Sequence, residues 1–383
     1  MRFSAFSAGF VASVVGFGGT LALILAAAEA VGATTVQTAS WVTAISLAIA
    51  IETLWLSWRF RMPIVAAWSA AGLALVGASQ GFTINDAAGA FLLAGLMLLA
   101  TGLFKPLTRL VEHIPQAVSA GMLGGILLPF VLAAVKASGL EPAFVLPLVL
   151  LFFVVRVFSP SAAVIVVLAA GVLIATLTGQ TTGTLSLRIS TLTLVRPDFS
   201  MTGFFGLSLP LYLVTMASQN LPGLAVLRAS GYAPPAGYPV AVTGGISALT
   251  SIFGASTTNL SAITAAICTG EDAHPDPGRR WHTGLWYAGC YFVFALFGAS
   301  LVAIVAAMPA SLIMLVTGLA LLAPLANATT IAMRDDQHRV AAIATFAVTA
   351  SGIAFFGVGA AFWGLLSGLV IIFLPRLDWR KLQ

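Results

Sequence analysis

Ile114-Pro115 through Gly124-Gly125-Ile126-Leu127-Leu128-Pro129 returns later in the chain as Met308-Pro309 through Gly318-Leu319-Ala320-Leu321-Leu322, followed by Pro324. Pro115 to Pro309 is a shift of 194 residues, and so is Gly124 to Gly318. A second echo sets Ala67-Trp68-Ser69-Ala70 against Asn259-Leu260-Ser261-Ala262, a shift of 192. Two independent echoes at nearly one spacing point to a duplicated chain. In apolar proteins such repeats are a hallmark of carriers that hold their ligand where the two halves meet.

The chain around these echoes is apolar almost throughout. Of its 383 residues, 60% are hydrophobic and 8% charged, with a mean hydropathy of +1.04. A soluble domain carries about 25% charged residues, so there is too little polar surface here to face water. The net charge of +5 is no nucleic-acid footprint, because the Lys and Arg residues are scattered singly through short loops. Cys268 and Cys290 lie in apolar segments and read as packing residues, neither a disulfide framework nor a metal site. The run Gly270-Glu271-Asp272-Ala273-His274-Pro275-Asp276 has metal-like residue types without rigid ligand spacing and reads as a solvated turn. No metal or cofactor is expected.

Apolar runs of about 17–25 residues read as membrane-spanning helices. Segmenting on charges, Pro and Gly places them at 4–29, 37–57, 64–79, 87–104, 115–136, 142–158 and 160–178. After a polar connection at 179–202 come 203–229, 237–254, 259–270, 283–307, 309–333, 339–355 and 357–374. The first run is longer than the apolar core of a secretory signal and is read as the first span. Suppose the N-terminus is cytoplasmic and every run crosses. Then, of the 17 Lys and Arg residues, only Lys136, Arg188 and Arg196 fall outside, in strong accord with the positive-inside rule. The expected fold is therefore an all-α integral membrane protein of about 14 segments, N- and C-termini cytoplasmic. Seven segments per half is odd, so the second half enters from the opposite side and the repeats are inverted.

Two segments look broken. Pro63-Ile64-Val65-Ala66-Ala67-Trp68 is an extended, β-rich run before small residues take over at Ser69. Ala255-Ser256-Thr257-Thr258-Asn259-Leu260 is extended and polar before Ser261 opens a short apolar helix. Each reads as a strand feeding a half-helix, with Ser69 and Ser261 near N-cap positions. Irregular backbone at membrane depth is tolerated only where protein or a water-lined cavity covers it, so these breaks mark the expected site. Two half-helix N-termini there, with no Lys or Arg nearby, suit a small anion and a carboxylate above all.

Other candidates surround the breaks. Thr215-Met216-Ala217-Ser218-Gln219-Asn220-Leu221-Pro222-Gly223 carries a Gln-Asn pair that needs partners in hydrocarbon, either a neighbouring helix or the substrate. Pro222-Gly223 directly after it fits a locally opened helix. Its inverted counterpart, Gly16-Phe17-Gly18-Gly19-Thr20, leaves room for a ligand or for close helix packing. Phe17, Trp68, Tyr212 and Phe253 could stack on a ring or simply pack. Intramembrane acids are scarce, and His113, His274, His282 and His338 all fall at loops or helix ends. Glu52 lies roughly 9 Å inside the cytoplasmic end of its span. It reads either as a proton site or, the favoured reading, as a snorkelling interfacial acid beside Trp55 and Trp58; Glu29 is a weaker candidate.

Several strings then carry a family resemblance. Leu209-Pro210-Leu211-Tyr212-Leu213-Val214-Thr215-Met216-Ala217-Ser218-Gln219-Asn220, with Pro222-Gly223, resembles the signature of the benzoate–proton symporter (BenE) family. So do Ala262-Ile263-Thr264-Ala265-Ala266-Ile267-Cys268, Ala273-His274-Pro275-Asp276, Thr349-Ala350-Ser351-Gly352, Ala361-Phe362-Trp363-Gly364-Leu365 and Ala67-Trp68-Ser69. The resemblance implies a bacterial inner-membrane importer of benzoate or a similar aromatic carboxylate, coupled to protons, and kinship in fold with nucleobase and sulfate-type transporters. It further implies a core domain at 1–104 and 203–307 and a gate domain at 105–178 and 308–374. The stretch 179–202 joins the repeats and 375–383 forms a cytoplasmic tail. Such proteins often dimerise, which leaves a homodimer open here. Read from the residues themselves, the expected substrate-binding set is Phe17, Gly18, Gly19, Trp68, Ser69, Tyr212, Ser218, Gln219, Asn220, Asn259, Leu260 and Ser261, with Glu52 as a candidate for proton coupling. The family pattern has Thr-Pro after the Trp-Ser pair where this chain has Ala70-Ala71-Gly72, and Glu52 lies outside the pattern.

Three alternatives remain at this level: the same fold carrying another small anion or a neutral ring compound, a passive anion channel, and an intramembrane enzyme. The last is disfavoured because no Ser/His or carboxylate pair has catalytic spacing at membrane depth.

Overall fold

The structure, a computed structural model, describes residues 3–18, 20–104, 106, 115–159, 162–181, 189–235, 237–356 and 358–374. The first half contains α1 (Phe3–Gly18), α2 (Leu21–Ala30), α3 (Thr35–Phe60), β1 (Ala66–Trp68), α4 (Ala70–Gly77), α5 (Ile84–Leu103), α6 (Gln116–Leu140), α7 (Pro142–Phe158) and α8 (Ala163–Leu177). The second half contains α9 (Met201–Ala229), α10 (Gly237–Thr250), β2 (Thr258–Leu260), α11 (Ile263–Thr269), α12 (Trp281–Leu296), α13 (Gly298–Ala306), α14 (Ala310–Arg334), α15 (Arg339–Ala350) and α16 (Ala360–Phe373). Every one of the apolar segments expected from sequence contains a helix. Among the described residues, six helices are long and apolar enough to cross a membrane, and a bent pair, Pro277–Leu296 with Gly298–Ala306, adds a seventh.

Local chemistry sets several boundaries. Thr34 and Gln37 form a capping box at the start of α3, and Thr83 and Asp86 do the same for α5. Pro115 and Pro309 each precede a helix of 25 residues, α6 and α14, and these two pack along one another. The longer echo in the sequence is thus a pair of equivalent helices in direct contact.

Two expected spans are divided. The first separates into α1 and α2 around a turn at Thr20, whose hydroxyl bonds back to the Gly16 carbonyl at 2.9 Å. The eleventh bends by 64° at Phe297. The inter-repeat connection stabilises that bend: the Ser190 N–H donates to the Leu296 carbonyl at 3.0 Å, and its hydroxyl accepts from the Ala299 N–H at 2.8 Å. Backbone groups freed by the break are therefore satisfied by a segment more than a hundred residues away, which no local pattern announces.

Close approach through small residues holds the layers together. A Cβ on Gly102 would overlap the Ala241 backbone nitrogen, and one on Gly244 would overlap the Leu99 nitrogen, so α5 and α10 meet backbone to backbone. In the same manner α3 lies on α12, and α6 on α15. One apolar core runs from α1 through α5 and α9 to α12, and a second lies among α6, α7, α8 and α14.

Candidate functional site

β1 and β2 cross in the middle of the first core as an antiparallel pair, with Ala66 opposite Leu260, Ala67 opposite Asn259 and Trp68 opposite Thr258. The ladder continues one step at each end. The Ser69 N–H donates to the Thr257 carbonyl at 3.2 Å, and the Ser261 N–H donates to the Val65 carbonyl at 3.0 Å. Both contacts are equivalent under the shift of 192 residues seen in the sequence. The strand pair therefore carries a local two-fold axis through Ala67 and Asn259.

The helix caps obey the same symmetry. The Ser69 hydroxyl accepts from the Gly72 N–H at 3.1 Å, and the Ser261 hydroxyl accepts from the Thr264 N–H at 3.2 Å. Ser69 is the N-cap of α4, as expected. The second cap departs slightly: α11 begins after Ala262, so Ser261 sits one residue outside the helix while still satisfying its first turn.

The outer strand edges, which would otherwise expose backbone groups in an apolar setting, are covered by side chains. Thr53 on α3 accepts from the Ala66 N–H at 2.9 Å, and Ser247 on α10 accepts from the Thr258 N–H at 2.9 Å. The Tyr287 hydroxyl donates to the Ala66 carbonyl at 3.0 Å. Asn220 Oδ1 accepts from the Leu260 N–H at 2.9 Å. Hydroxyls then link strands and half-helices, with Thr215 lying 3.0 Å from Ser69 and 3.2 Å from Thr257.

α9 widens into π turns at Phe204–Ser208 and Met216–Asn220. Each lies just ahead of a proline, Pro210 and Pro222, whose missing N–H leaves a carbonyl of the preceding turn without its usual donor. This is the opened helix anticipated at Pro222-Gly223. It turns Asn220 inward onto the strand end and leaves the partly exposed Gln219 amide without a hydrogen bond among the described residues.

The remaining candidates divide. Trp68 and Phe17 are buried against each other with ring centroids 5.1 Å apart, and Trp68 Nε1 donates to the Gly16 carbonyl at 3.1 Å. Leu260 is buried against Gly223, while the Asn259 amide donates to the Leu260 carbonyl at 2.8 Å and its Oδ1 is unpartnered. Gly18 faces Ile165 of α8, and Gly19 lies outside the described residues. Tyr212 is directed away from the strands, its hydroxyl 2.6 Å from Thr101 on α5. Ser218 bonds back to the Val214 carbonyl of its own helix at 2.6 Å.

Glu52 is a correction. It is fully buried and does not snorkel, whereas Trp55 and Trp58 are exposed. The Thr258 hydroxyl donates to Glu52 Oε1 at 2.6 Å, and Oε2 has no partner. Adjacent side chains on a helix point in different directions, and α3 aims Glu52 at β2 while turning the two indoles outward. The turn at 270–276 leaves Glu271, Asp272, Pro275 and Asp276 exposed, while His274 turns inward. Buried Arg280 donates to the carbonyls of Thr269 at 2.7 Å and His274 at 2.6 Å, tying the end of α11 to the start of α12.

Sequence reasoning missed Tyr287 and Tyr291 on α12 and the Thr215–Thr257–Thr258 hydroxyls. Each acts across a sequence separation that periodicity does not reach.

Strand-fed half-helices at the centre of a membrane-helix bundle define a membrane transporter fold. The transmembrane domain of a cyanobacterium bicarbonate transporter, BicA, superposes with a TM-score of 0.61 over 97% of this chain and 98% of that one, at 15% identity. SLC26A9 superposes with a TM-score of 0.66 over 96% of this chain and 64% of that one, at 12% identity. The sequence matches the benzoate membrane transport protein family, BenE, over residues 1–374. It is 38% identical over 366 residues to inner membrane protein YdcO of Escherichia coli, covering 94% and 93% of the two chains. It is 35% identical over 374 residues to the benzoate membrane transport protein of Acinetobacter baylyi, covering 97% and 95%. The chain belongs to the BenE family: it is a multi-pass membrane transporter and not an enzyme.

Proposed function

We propose that this protein imports benzoate or a similar aromatic carboxylate together with protons, by alternating access around a site between α4, α11, the α1–α2 turn and the π turn of α9. The observation that carries this reading is the two-fold strand pair with its serine-capped half-helices. Ser69 satisfies one amide of α4, and the amides of Ala70 and Ala71 have no backbone carbonyl partner among the described residues. A carboxylate suits such a terminus, with each helix dipole contributing up to about 2 kcal/mol in a partly buried setting. The ring of the substrate is served by the aromatic side chains grouped around Phe17 and Trp68.

Under this reading the chain is two inverted repeats of seven segments with cytoplasmic termini. The core comprises 1–104 and 203–307 and rocks against a gate of 105–178 and 308–374. Glu52 is the proton site: a buried carboxyl with a hydroxyl donor on one oxygen and the other free to hold a proton. A homodimer is compatible with the exposed apolar helix faces that lipid or a second copy would cover.

Radiolabelled benzoate uptake into proteoliposomes tests the substrate. Saturable uptake above empty liposomes, competed by other aromatic carboxylates and not by bicarbonate, is the expected result. Competition by bicarbonate alone would instead favour the reading of a small inorganic anion carrier.

A further inference from the structure

One face of α14 changes character half-way along the helix. Leu312, Val316 and Leu319 are 0%, 1% and 8% exposed and pack in one cluster with Ala22 of α2. Ala323, Asn327, Thr330 and Arg334 continue the same stripe at spacings of three and four residues, and all four are exposed. Asn327 makes no hydrogen bond among the described residues, and Arg334 makes no ion pair among them. Asn327 lies about 10 Å along the helix from its last residue, Arg334. A bare amide at that depth against lipid costs several kcal/mol, so the stripe faces water and not hydrocarbon.

The duplication shows what the stripe looks onto. α14 is the counterpart of α6 at a shift of 194 residues, and α11 that of α4 at a shift of 192. In the first half the pair is closed. A Cβ on Gly77, at the end of α4, would lie 3.1 Å from Phe130 Cζ on α6. Ala71 and Ala74 of α4 are 2% and 0% exposed. Their counterparts on α11 are Ile263, which is 65% exposed, and Ala266, which is also exposed. The second half lacks the closure that the first half makes.

Resting on the function and topology proposed above, we infer that a water-filled path for the carboxylate runs between the second half of α14 and the exposed turn of α11, joining the half-helix termini to the cytoplasm. Asn327 is its polar contact within the membrane, where the side-chain amide donates to the passing carboxylate. Arg334 stands at the mouth, where its charge draws the anion. One neutral donor holds an anion weakly, as a path requires if the substrate is to leave it.

Cysteine labelling with a negatively charged, water-soluble thiosulfonate tests the path in inverted membrane vesicles, whose cytoplasmic face is outward. Only a thiol in contact with water ionises to the reactive thiolate. Asn327→Cys and Thr330→Cys are expected to react above the wild-type chain, whose buried Cys268 and half-buried Cys290 set the blank. Leu150→Cys, at a 66% exposed position on α7 facing lipid, stays at that blank. Once labelled, Asn327→Cys loses most of its benzoate uptake in proteoliposomes, whereas identically treated wild-type protein keeps it. Asn327→Cys and Thr330→Cys no more reactive than Leu150→Cys would put the stripe against lipid and overturn the path, whether or not benzoate is carried. Labelling that leaves benzoate uptake intact would overturn its use by the substrate. Labelling of both cysteines in a protein that carries no benzoate would refute the proposed substrate while supporting the water-filled path.

Discussion

The Thr258 hydroxyl donates to Glu52 Oε1 at 2.6 Å, tying the one fully buried carboxylate among the described residues to the strand that feeds α11. Thr258 is itself held by Ser247, whose hydroxyl accepts the Thr258 N–H at 2.9 Å and lies 3.0 Å from its side chain. Under the proposed proton coupling, a change in the proton on Glu52 would reach the half-helix assembly through the Thr258 hydroxyl. Glu52→Gln keeps an acceptor for Thr258 and the side-chain volume but cannot cycle a proton. It is expected to abolish gradient-driven accumulation of substrate while retaining exchange of labelled for unlabelled substrate across the membrane. Accumulation at the wild-type level would remove Glu52 from the mechanism.

Asn220 and Gln219, adjacent in sequence, separate in role. Asn220 accepts the Leu260 N–H in the interior, and Asn220→Ala leaves that amide unpaired at a cost of about 1–3 kcal/mol. A lower melting temperature in detergent is expected. Gln219 is partly exposed and bonds to nothing described, so Gln219→Ala leaves the melting temperature unchanged and lowers transport per molecule. The reverse pattern would mean that Asn220, not Gln219, faces the substrate.

The contact of α5 with α10 has no room for a methyl group. Gly102→Ala places Cβ onto the Ala241 backbone, which cannot swing aside as a flexible side chain could. A loss of about 1–3 kcal/mol follows from overpacking, read as a lower melting temperature. Gly245→Ala, on the facing helix α10, meets only Leu99 Cδ1 at 3.7 Å and serves as the neutral control.

Outside the membrane, the turn between α14 and α15 contains an acid held below its ordinary range. The hydrogen bond from His338 is the chief cause of the lowered Asp335 pKa, with His338 Nδ1 2.6 Å from Asp335 Oδ2. A depressed carboxylate contributes its stabilisation above the unfolded pKa and loses it as pH falls through the folded one. His338→Ala is expected to move the Asp335 titration upward towards the ordinary carboxylate value, followed by carboxyl NMR. An unmoved titration would assign the shift to the backbone amide of Gln337 instead.

Much of this architecture is legible in the sequence, for physical reasons that can be named. Pro63 and the β-rich residues after it announce a strand, and Ser69 and Ser261 announce helix starts, because caps and propensities are local. Hydropathy and charge place the apolar segments because the bilayer imposes their length. What stays hidden is long-range. Nothing near Glu52 says that Thr258 will meet it, and the neighbouring tryptophans suggested an interfacial position instead. Nothing near Ser190 says that it caps a bend at Phe297. Tyr291 looked like one aromatic among many until the fold brought Gly16, Thr264 and Trp68 around it.

Uptake of radiolabelled benzoate into proteoliposomes with and without an inward proton gradient tests the central claim most directly, with empty liposomes correcting for diffusion of the protonated acid. Aromatic carboxylate symport predicts saturable accumulation above the control that requires the gradient and collapses when an ionophore dissipates it. Saturable uptake that equilibrates and is indifferent to the gradient would contradict proton coupling, and uptake no greater than in empty liposomes would contradict benzoate as the substrate.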